Sequence, residues 1–336
     1  MRRVLGRSGR EVAPIGLGCM GMSWGYAESR RDDEGSMTVI RQALDAGVEL
    51  LDTVGVYGDG HNERLVGQAL RGRRTEVLLA TKGGLVVDDL TTKQMHRDGR
   101  PGTLRRQIDQ SLTRLGVETI DLYYLHRVDP EVPIEESWGA LAEAVHTGKV
   151  RWLGLSEATI AQANAAHQIH PVTAIQSELS LWTRDPLGLS MGADTPIAEA
   201  GVGARSDGNL LAWTQANGVS FVPFAPLGRG YLTGTLSADG FEDGDFRDTN
   251  PRFTPEAFGQ NQAIVDEVAR IARAHDATPA QVALAWLLDL AENTIPIPGT
   301  RNGLHLRENL SATNLHLTAS ERQLLNSLPA PIGSRY

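Results

Sequence analysis

The sequence predicts an α/β fold: a single closed (β/α)8 TIM barrel over residues 1–336, with a short N-terminal hairpin and long loops on its C-terminal face. Three observations carry that expectation. Eight short apolar runs recur along the chain, helical patterns lie between them, and 336 residues leave room for insertions beyond the roughly 250 of such a barrel. The runs are Val12 to Leu17, Val48 to Asp52, Val77 to Thr81, Ile120 to Leu125, Val150 to Leu155, Thr173 to Gln176, Val219 to Phe224 and Thr294 to Ile297. They are nearly continuous in hydrophobicity rather than alternating, as strands buried on both faces are. Eight strands alternating with helices imply right-handed parallel units and favour a closed barrel over an open sheet.

Ahead of the first run, Arg2 to Arg10 reads as a small hairpin turning at Ser8-Gly9. Leu104, Ile108, Leu112 and Leu115 form one apolar helical stripe, closed by Gly116. Ile134, Trp138, Leu141 and Val145 form a second, ended by Gly148. Thr278-Pro279-Ala280-Gln281 is a capping box with proline at the first helical position, and Thr318 with Glu321 opens a last helix through Leu328. Residues 185–209 and 240–255 lack periodicity and are expected as loops on the active face.

Gly16-Leu17-Gly18-Cys19-Met20-Gly21 matches the G-x-G-x-x-G pattern of dinucleotide-binding sheets, but no helix is expected to open at the third glycine. The reading preferred is a glycine-rich loop above the first strand, with Trp24 and Tyr26 available to line a pocket.

The 41 acidic against 32 basic residues, a net charge of -9, argue against nucleic acid as a partner. No run of about 18 apolar residues and no signal-like start are present, so neither a membrane partner nor export is expected, and a cytoplasmic location is. A single cysteine, Cys19, excludes an intrachain disulfide and a thiolate metal cluster, and no metal is expected. The oligomeric state stays open.

Four polar residues stand at the ends of apolar runs or just beyond. Asp52 closes VELLD, Tyr57 follows five residues later, Lys82 ends VLLATK, and His126 ends IDLYYLH. Singly, each has an ordinary structural explanation. Jointly, ionisable groups converging on one barrel mouth are costly unless paired, and their mutual perturbation suits acid–base chemistry. Carbonyl reduction needs a hydride, which only a cofactor supplies, and a proton donor for the forming alkoxide. Tyrosine ordinarily titrates near pH 10, and the Lys82 ammonium is expected to lower that value. Asp52 would hold Lys82 charged, and His126 would orient the carbonyl.

GLGCMGMS, DTVGVYG, ATKGG, DLYYLHRVDP, GKVRWLGLSE, QSELSLWTRD, PFAPLGRGYLTG and IPIPGT…ENL together resemble the aldo-keto reductase superfamily from about Arg3 to Leu328. The likeness is greatest to its bacterial branch related to potassium-channel β-subunits. The resemblance implies NADPH-dependent reduction of a small carbonyl substrate, with Asp52, Tyr57, Lys82 and His126 as the catalytic tetrad. It implies nicotinamide contacts from Ser156 and Gln176, and a loop over the pyrophosphate at Ala225, Pro226, Leu227, Gly228, Arg229 and Gly230. A 2′-phosphate segment at Gly299, Thr300 and Arg301 is implied too, with His305 beside it and adenine contacts from Glu308 and Asn309. Trp24, Tyr26, Leu85, Arg127 and Trp182 are the expected substrate-pocket residues. Some positions depart from the family's pattern. Gly55 loosens the turn that aims Tyr57, Glu157 stands where asparagine is common, and Ala225 replaces a serine. His305 replaces an arginine, which admits NADH as an alternative cofactor. The channel likeness also implies a second reading, a cofactor-sensing binding subunit with little turnover.

Overall fold

The computed structural model describes residues 1–189, 208–237 and 240–335, so residues 190–207 of the expected long loop lie outside the described residues. The chain opens on an antiparallel hairpin of β1 (Arg3–Val4) and β2 (Glu11–Val12). Then come β3 (Leu17–Gly18), β4 (Leu50–Asp52), β5 (Leu78–Gly83), a second antiparallel hairpin of β6 (Leu85–Asp89) and β7 (Gln94–Arg97), β8 (Ile120–Leu125), β9 (Val150–Ser156), β10 (Val172–Glu178) and β11 (Ser220–Phe224). Strands β3, β4, β5, β8, β9, β10 and β11 pair in that order, all parallel, into a near-barrel.

Ten helices among the described residues surround the sheet. They are α1 (Asp33–Asp45), α2 (His61–Ala69), α3 (Pro101–Leu115), α4 (Ile134–His146), α5 (Ile160–Ile169), α6 (Leu210–Asn217), α7 (Pro255–Ala274), α8 (Pro279–Leu290), α9 (Gly303–Ser311) and α10 (Ala319–Asn326). The expected boxes at Thr278 and Thr318 form in full, and Gly116 takes the left-handed conformation that ends α3.

Two strand expectations need correction. The first run is broken at Ala13-Pro14: Val12 belongs to the hairpin, and only Leu17–Gly18 joins the barrel. The eighth run closes the barrel without forming a regular strand. Ile295 and Ile297 donate to Phe221 and Pro223 carbonyls at 2.8 and 3.0 Å, and the Pro296 and Pro298 carbonyls accept from Gly16 and Gly18 at 2.9 and 3.3 Å. Prolines at 296 and 298 have no N–H for the β3 side, so that ladder is half-made and appears only as isolated bridges. The glycines of the pattern set aside above serve this seam. A Cβ on Gly16 would stand 2.9 Å from the Leu50 carbonyl oxygen, and one on Gly18 would stand 2.9 Å from that of Ile297. Residues Met20–Met22 form a single 3-10 turn instead of a helix.

Two cores result. Leu50, Leu78, Ala80, Leu122, Tyr124, Ala174, Val222 and Ile295 fill the barrel interior, with hairpin residues Leu5 and Val12 packed against them. The larger core lies between strands and helices, around Leu51, Leu79, Trp138, Leu153 and Trp286.

Candidate active site

Side chains alternate along a strand, so the interior residues predict what stands above them. Leu50 faces the interior on β4, which puts Asp52 in the layer above. Leu78 and Ala80 do the same for Lys82 on β5, Leu122 and Tyr124 for His126 just past β8, and Ala174 for Gln176 on β10. The strand ends thus bring Asp52, Lys82 and His126 together at the C-terminal mouth. Tyr57 joins them by a turn in which Gly60 donates to the Gly55 carbonyl at 2.6 Å and Gly58, Asp59 and Gly60 all have left-handed φ. Gly55 itself does not have positive φ. A Cβ there would stand 2.7 Å from Arg114 Nη2, so a larger residue would have to displace that guanidinium.

Lys82 and Asp52 form a buried ion pair, 2.5 Å between Nζ and Oδ1, with side chains 1 % and 6 % exposed. Lys82 Nζ also donates to the Thr53 carbonyl at 3.1 Å, and Gln176 Nε2 donates to Asp52 Oδ2 at 2.7 Å. The ammonium stands 5.8 Å from the centre of the Tyr57 ring. Burial pulls the Lys82 pKa down against the opposing pull of Asp52. The expected lowering of the Tyr57 pKa is reversed. Burial first, then the Asp52 carboxylate, push the phenol well above its ordinary value, with Arg127 opposing. The physical reason is that the Lys82 charge is already matched by Asp52, which leaves desolvation in control. His126 is buried, and burial together with the Arg127 and Lys82 charges drives its pKa far down, so the imidazole is neutral. Its Nδ1 has no hydrogen-bond partner among the described residues.

The residues expected around a cofactor lie on the neighbouring strand ends. Ser156 accepts from Arg127 Nη1 at 3.1 Å, and Arg127 also donates to the His126 carbonyl at 2.6 Å. Ala225, Gly228, Arg229 and Gly230 all have positive φ, so the turn after β11 curls around Pro226 and Leu227. The Arg229 side chain is directed to Glu178 at 3.3 Å. Beyond the seam, Gly299, Thr300 and Arg301 lead into α9, whose first turn carries exposed His305; Glu308 and buried Asn309 follow on the same helix. Glu157 sits in left-handed conformation and turns away from Ser156, its Oε1 accepting from the Glu178 N–H at 2.8 Å.

Arg301 has company that sequence reasoning missed. Burial lowers its pKa, and so do the charges of Arg31, Arg30 and Arg247, with Glu242 opposing. These cations are far apart in the chain and meet because the 24–31 loop docks on the 242–248 loop. Ala27 N donates to Asp245 Oδ2 at 3.0 Å and Phe246 N donates to the Gly25 carbonyl at 2.9 Å. The β6–β7 hairpin, also missed, adds Lys93, whose ammonium binds Glu28 at 2.9 Å and lies over Trp24 and Phe246. The only hint in the sequence is the short apolar run Leu85-Val86-Val87 after Gly84, with its two β-branched valines.

Among the expected pocket residues, Trp24 lines a surface cavity of about 300 Å³ with Gly58, His61 and Leu90. Tyr26 is half-buried under Arg247, and Leu85 packs with Val54, Val56 and Tyr57. Trp182 must be corrected. It is 1 % exposed and stacked on Tyr231 at 4.3 Å, with Phe253 at its edge, which makes it a core residue. No group of three or more potential metal ligands occurs among the described residues, and no described helix is long and apolar enough to cross a membrane.

The model of the Aldo/keto reductase family matches residues 14–329. A probable aldo-keto reductase of Glycine max is 38 % identical over 336 residues, covering 99 % of this chain and 90 % of its own length. An aldo-keto reductase of Schizosaccharomyces pombe, whose name carries NADP(+), is 36 % identical, with 98 % and 93 % covered. A glycerol dehydrogenase of Gluconobacter oxydans superposes with a TM-score of 0.82 at 28 % identity, covering all of this chain and 98 % of the other. The chain belongs to the aldo/keto reductase family and is an oxidoreductase of that family.

Proposed function

We propose that the protein reduces an aldehyde or ketone to an alcohol with NADPH, and that Tyr57 delivers the proton. The buried Lys82–Asp52 pair beneath the Tyr57 ring, beside a neutral His126, is the observation that carries this reading. When bound, the nicotinamide supplies hydride. Ser156 and Gln176 hold its amide end, the 225–230 turn and Arg301 meet its phosphates, and Glu308 and Asn309 flank the adenine. Arg301, with Arg30, Arg31 and Arg247 nearby, fits a phosphate-bearing ligand, although Arg31 already pairs with Glu28 and Arg247 with Asp245. His126, kept neutral by burial and by the Arg127 and Lys82 charges, donates a hydrogen bond to the carbonyl oxygen from its ring N–H and orients it. Tyr57 stays a phenol at neutral pH and gives its proton to the oxygen as charge develops there. Asp52 keeps Lys82 in place, and Gln176 keeps Asp52 in place.

The basic experiment is NADPH consumption with a reactive aromatic aldehyde. Tight NADPH binding without turnover on any carbonyl tested would select the cofactor-sensing subunit instead. A raised phenol pKa keeps the acid form present as pH rises. The kcat for reduction is therefore expected to stay level from pH 7 to about 9, while alcohol oxidation, which needs the phenolate, keeps rising over that range. A reductive limb that falls through neutral pH would show that Tyr57 is not the acid. Arg301→Ala is expected to weaken NADPH binding by about 10- to 100-fold, the worth of one charge-assisted hydrogen bond, and NADH binding by less than about threefold. Equal losses for both cofactors in a fluorescence titration would remove Arg301 from the 2′-phosphate. A cytoplasmic setting belongs to the same proposal, supported by one buried cysteine and no disulfide, as does the bacterial branch.

A further inference from the structure

After α10 the chain runs back along the rim of the barrel on the side of β9, β10 and β11. Arg184 donates to the Asn326 and Pro329 carbonyls at 2.8 and 3.3 Å. Buried Asn261 on α7 grips Ile332 twice, accepting from its N–H at 2.7 Å and donating to its carbonyl at 3.0 Å. Arg252 donates to the Gly333 carbonyl at 3.2 Å, and Asn250 to the Arg335 carbonyl at 2.9 Å. Gly333 has φ of 94°, and a Cβ on it would lie 2.7 Å from the Pro251 carbonyl oxygen, so this path requires glycine.

The segment ends by placing Arg335 over the strand ends. Nε donates to Glu178 Oε2 at 2.8 Å, Nη2 pairs with Glu157, and the guanidinium lies 6.0 Å from the centre of the Phe224 ring. Glu157 is the residue after Ser156, Glu178 stands two residues beyond Gln176, and Phe224 immediately precedes Ala225. One side chain therefore ties together the rims of β9, β10 and β11, above the residues assigned to the nicotinamide. Neither Glu157 nor Glu178 depends on it alone. Glu157 retains the Glu178 N–H, and Glu178 retains Arg229 and Thr183.

We propose that residues 329–335 are a strap gating exchange of the cofactor, with Arg335 as its catch. This rests on the nicotinamide reading of Ser156 and Gln176 given above. A ring settling beside Gln176 must pass the guanidinium that spans Glu157, Glu178 and Phe224. The strap lifts for entry and again for exit. A gate alters the barrier and leaves the two end states alone, so weakening it speeds both directions equally, whereas a wall of the binding site would alter affinity.

Stopped-flow fluorescence of NADPH binding separates these. Arg335→Ala is expected to raise both the association and the dissociation rate by about tenfold while Kd changes less than about threefold. Arg335→Lys, which keeps the charge without the two-armed fork, is expected to fall between it and the parent. Asn261→Ala loosens the strap from the far side of the segment and is expected to accelerate both rates too. Unchanged rates in Arg335→Ala, or a loss of affinity carried by dissociation alone, would overturn the gate. An unaltered protein that binds no NADPH would overturn the cofactor reading and the gate with it.

Discussion

Tyr57→Phe is expected to fold, to bind NADPH as tightly as the parent, and to lose about 10²–10⁴-fold in kcat for carbonyl reduction. The substitution removes one oxygen and leaves the ring, which packs beside Val54, Val56 and Leu85 and faces the Lys82 ammonium. The turn that presents it is held by main-chain bonds, Tyr57 N to the Val54 carbonyl and Asn62 N to the Tyr57 carbonyl, which phenylalanine keeps. What disappears is the Tyr57 hydroxyl, which burial and the Asp52 carboxylate keep protonated well into alkaline pH. Turnover with an aromatic aldehyde, set beside a binding titration on the same sample, reads the two effects separately. If turnover stays within tenfold of the parent, another donor protonates the alkoxide and Tyr57 loses its assignment.

The second large effect is on stability. Lys82→Met leaves Asp52 as a carboxylate 4 % exposed, retaining only the Gln176 amide as a side-chain donor among the described residues. Removing one member of a buried pair costs about 3–5 kcal/mol, far more than the pair contributes when intact, because the stranded charge stays desolvated. Urea denaturation of Lys82→Met should show that loss, and Asp52→Asn combined with Lys82→Met should recover most of it, since the charge goes with its partner. Both variants should be inactive, so stability and activity part company in the double variant. A single variant as stable as the parent would mean that Asp52 takes a proton or reaches water when its partner is gone.

Much of this site could be read in advance because a barrel strand translates position into direction. A polar residue two places beyond an interior leucine or alanine must point up the mouth, which holds for Asp52, Lys82 and Gln176. Local chemistry was equally readable where it closes within four residues, as in the capping boxes at Thr278 and Thr318. Contacts between distant loops were not. Arg30, Arg31 and Arg247 converge on Arg301 only because two irregular loops dock, and no periodicity marks that. Trp182 was expected in the pocket, yet Tyr231 and Phe253 arrive from the next crossover to cover it. The phenol's titration turned on how deeply Tyr57 is buried beside the Asp52 carboxylate, a question of ångströms that residue types leave open. The eighth strand failed as a strand because two prolines remove its donors towards β3 while its apolar content stays strand-like.

That proline-bearing closure has a mechanical consequence. In a hoop of hydrogen bonds, the joint between Gly16–Gly18 and Pro296–Pro298 is the clasp, because the prolines leave it bonded in one direction only. The curled turn at 225–230 leaves one neighbour of the clasp segment, and Gly299–Arg301 leaves the segment itself. A dinucleotide stretched between those turns would rivet the hoop shut at that joint. The protein's resistance to unfolding and its hold on its ligand would then be set at one address, and selection for either would reshape the other.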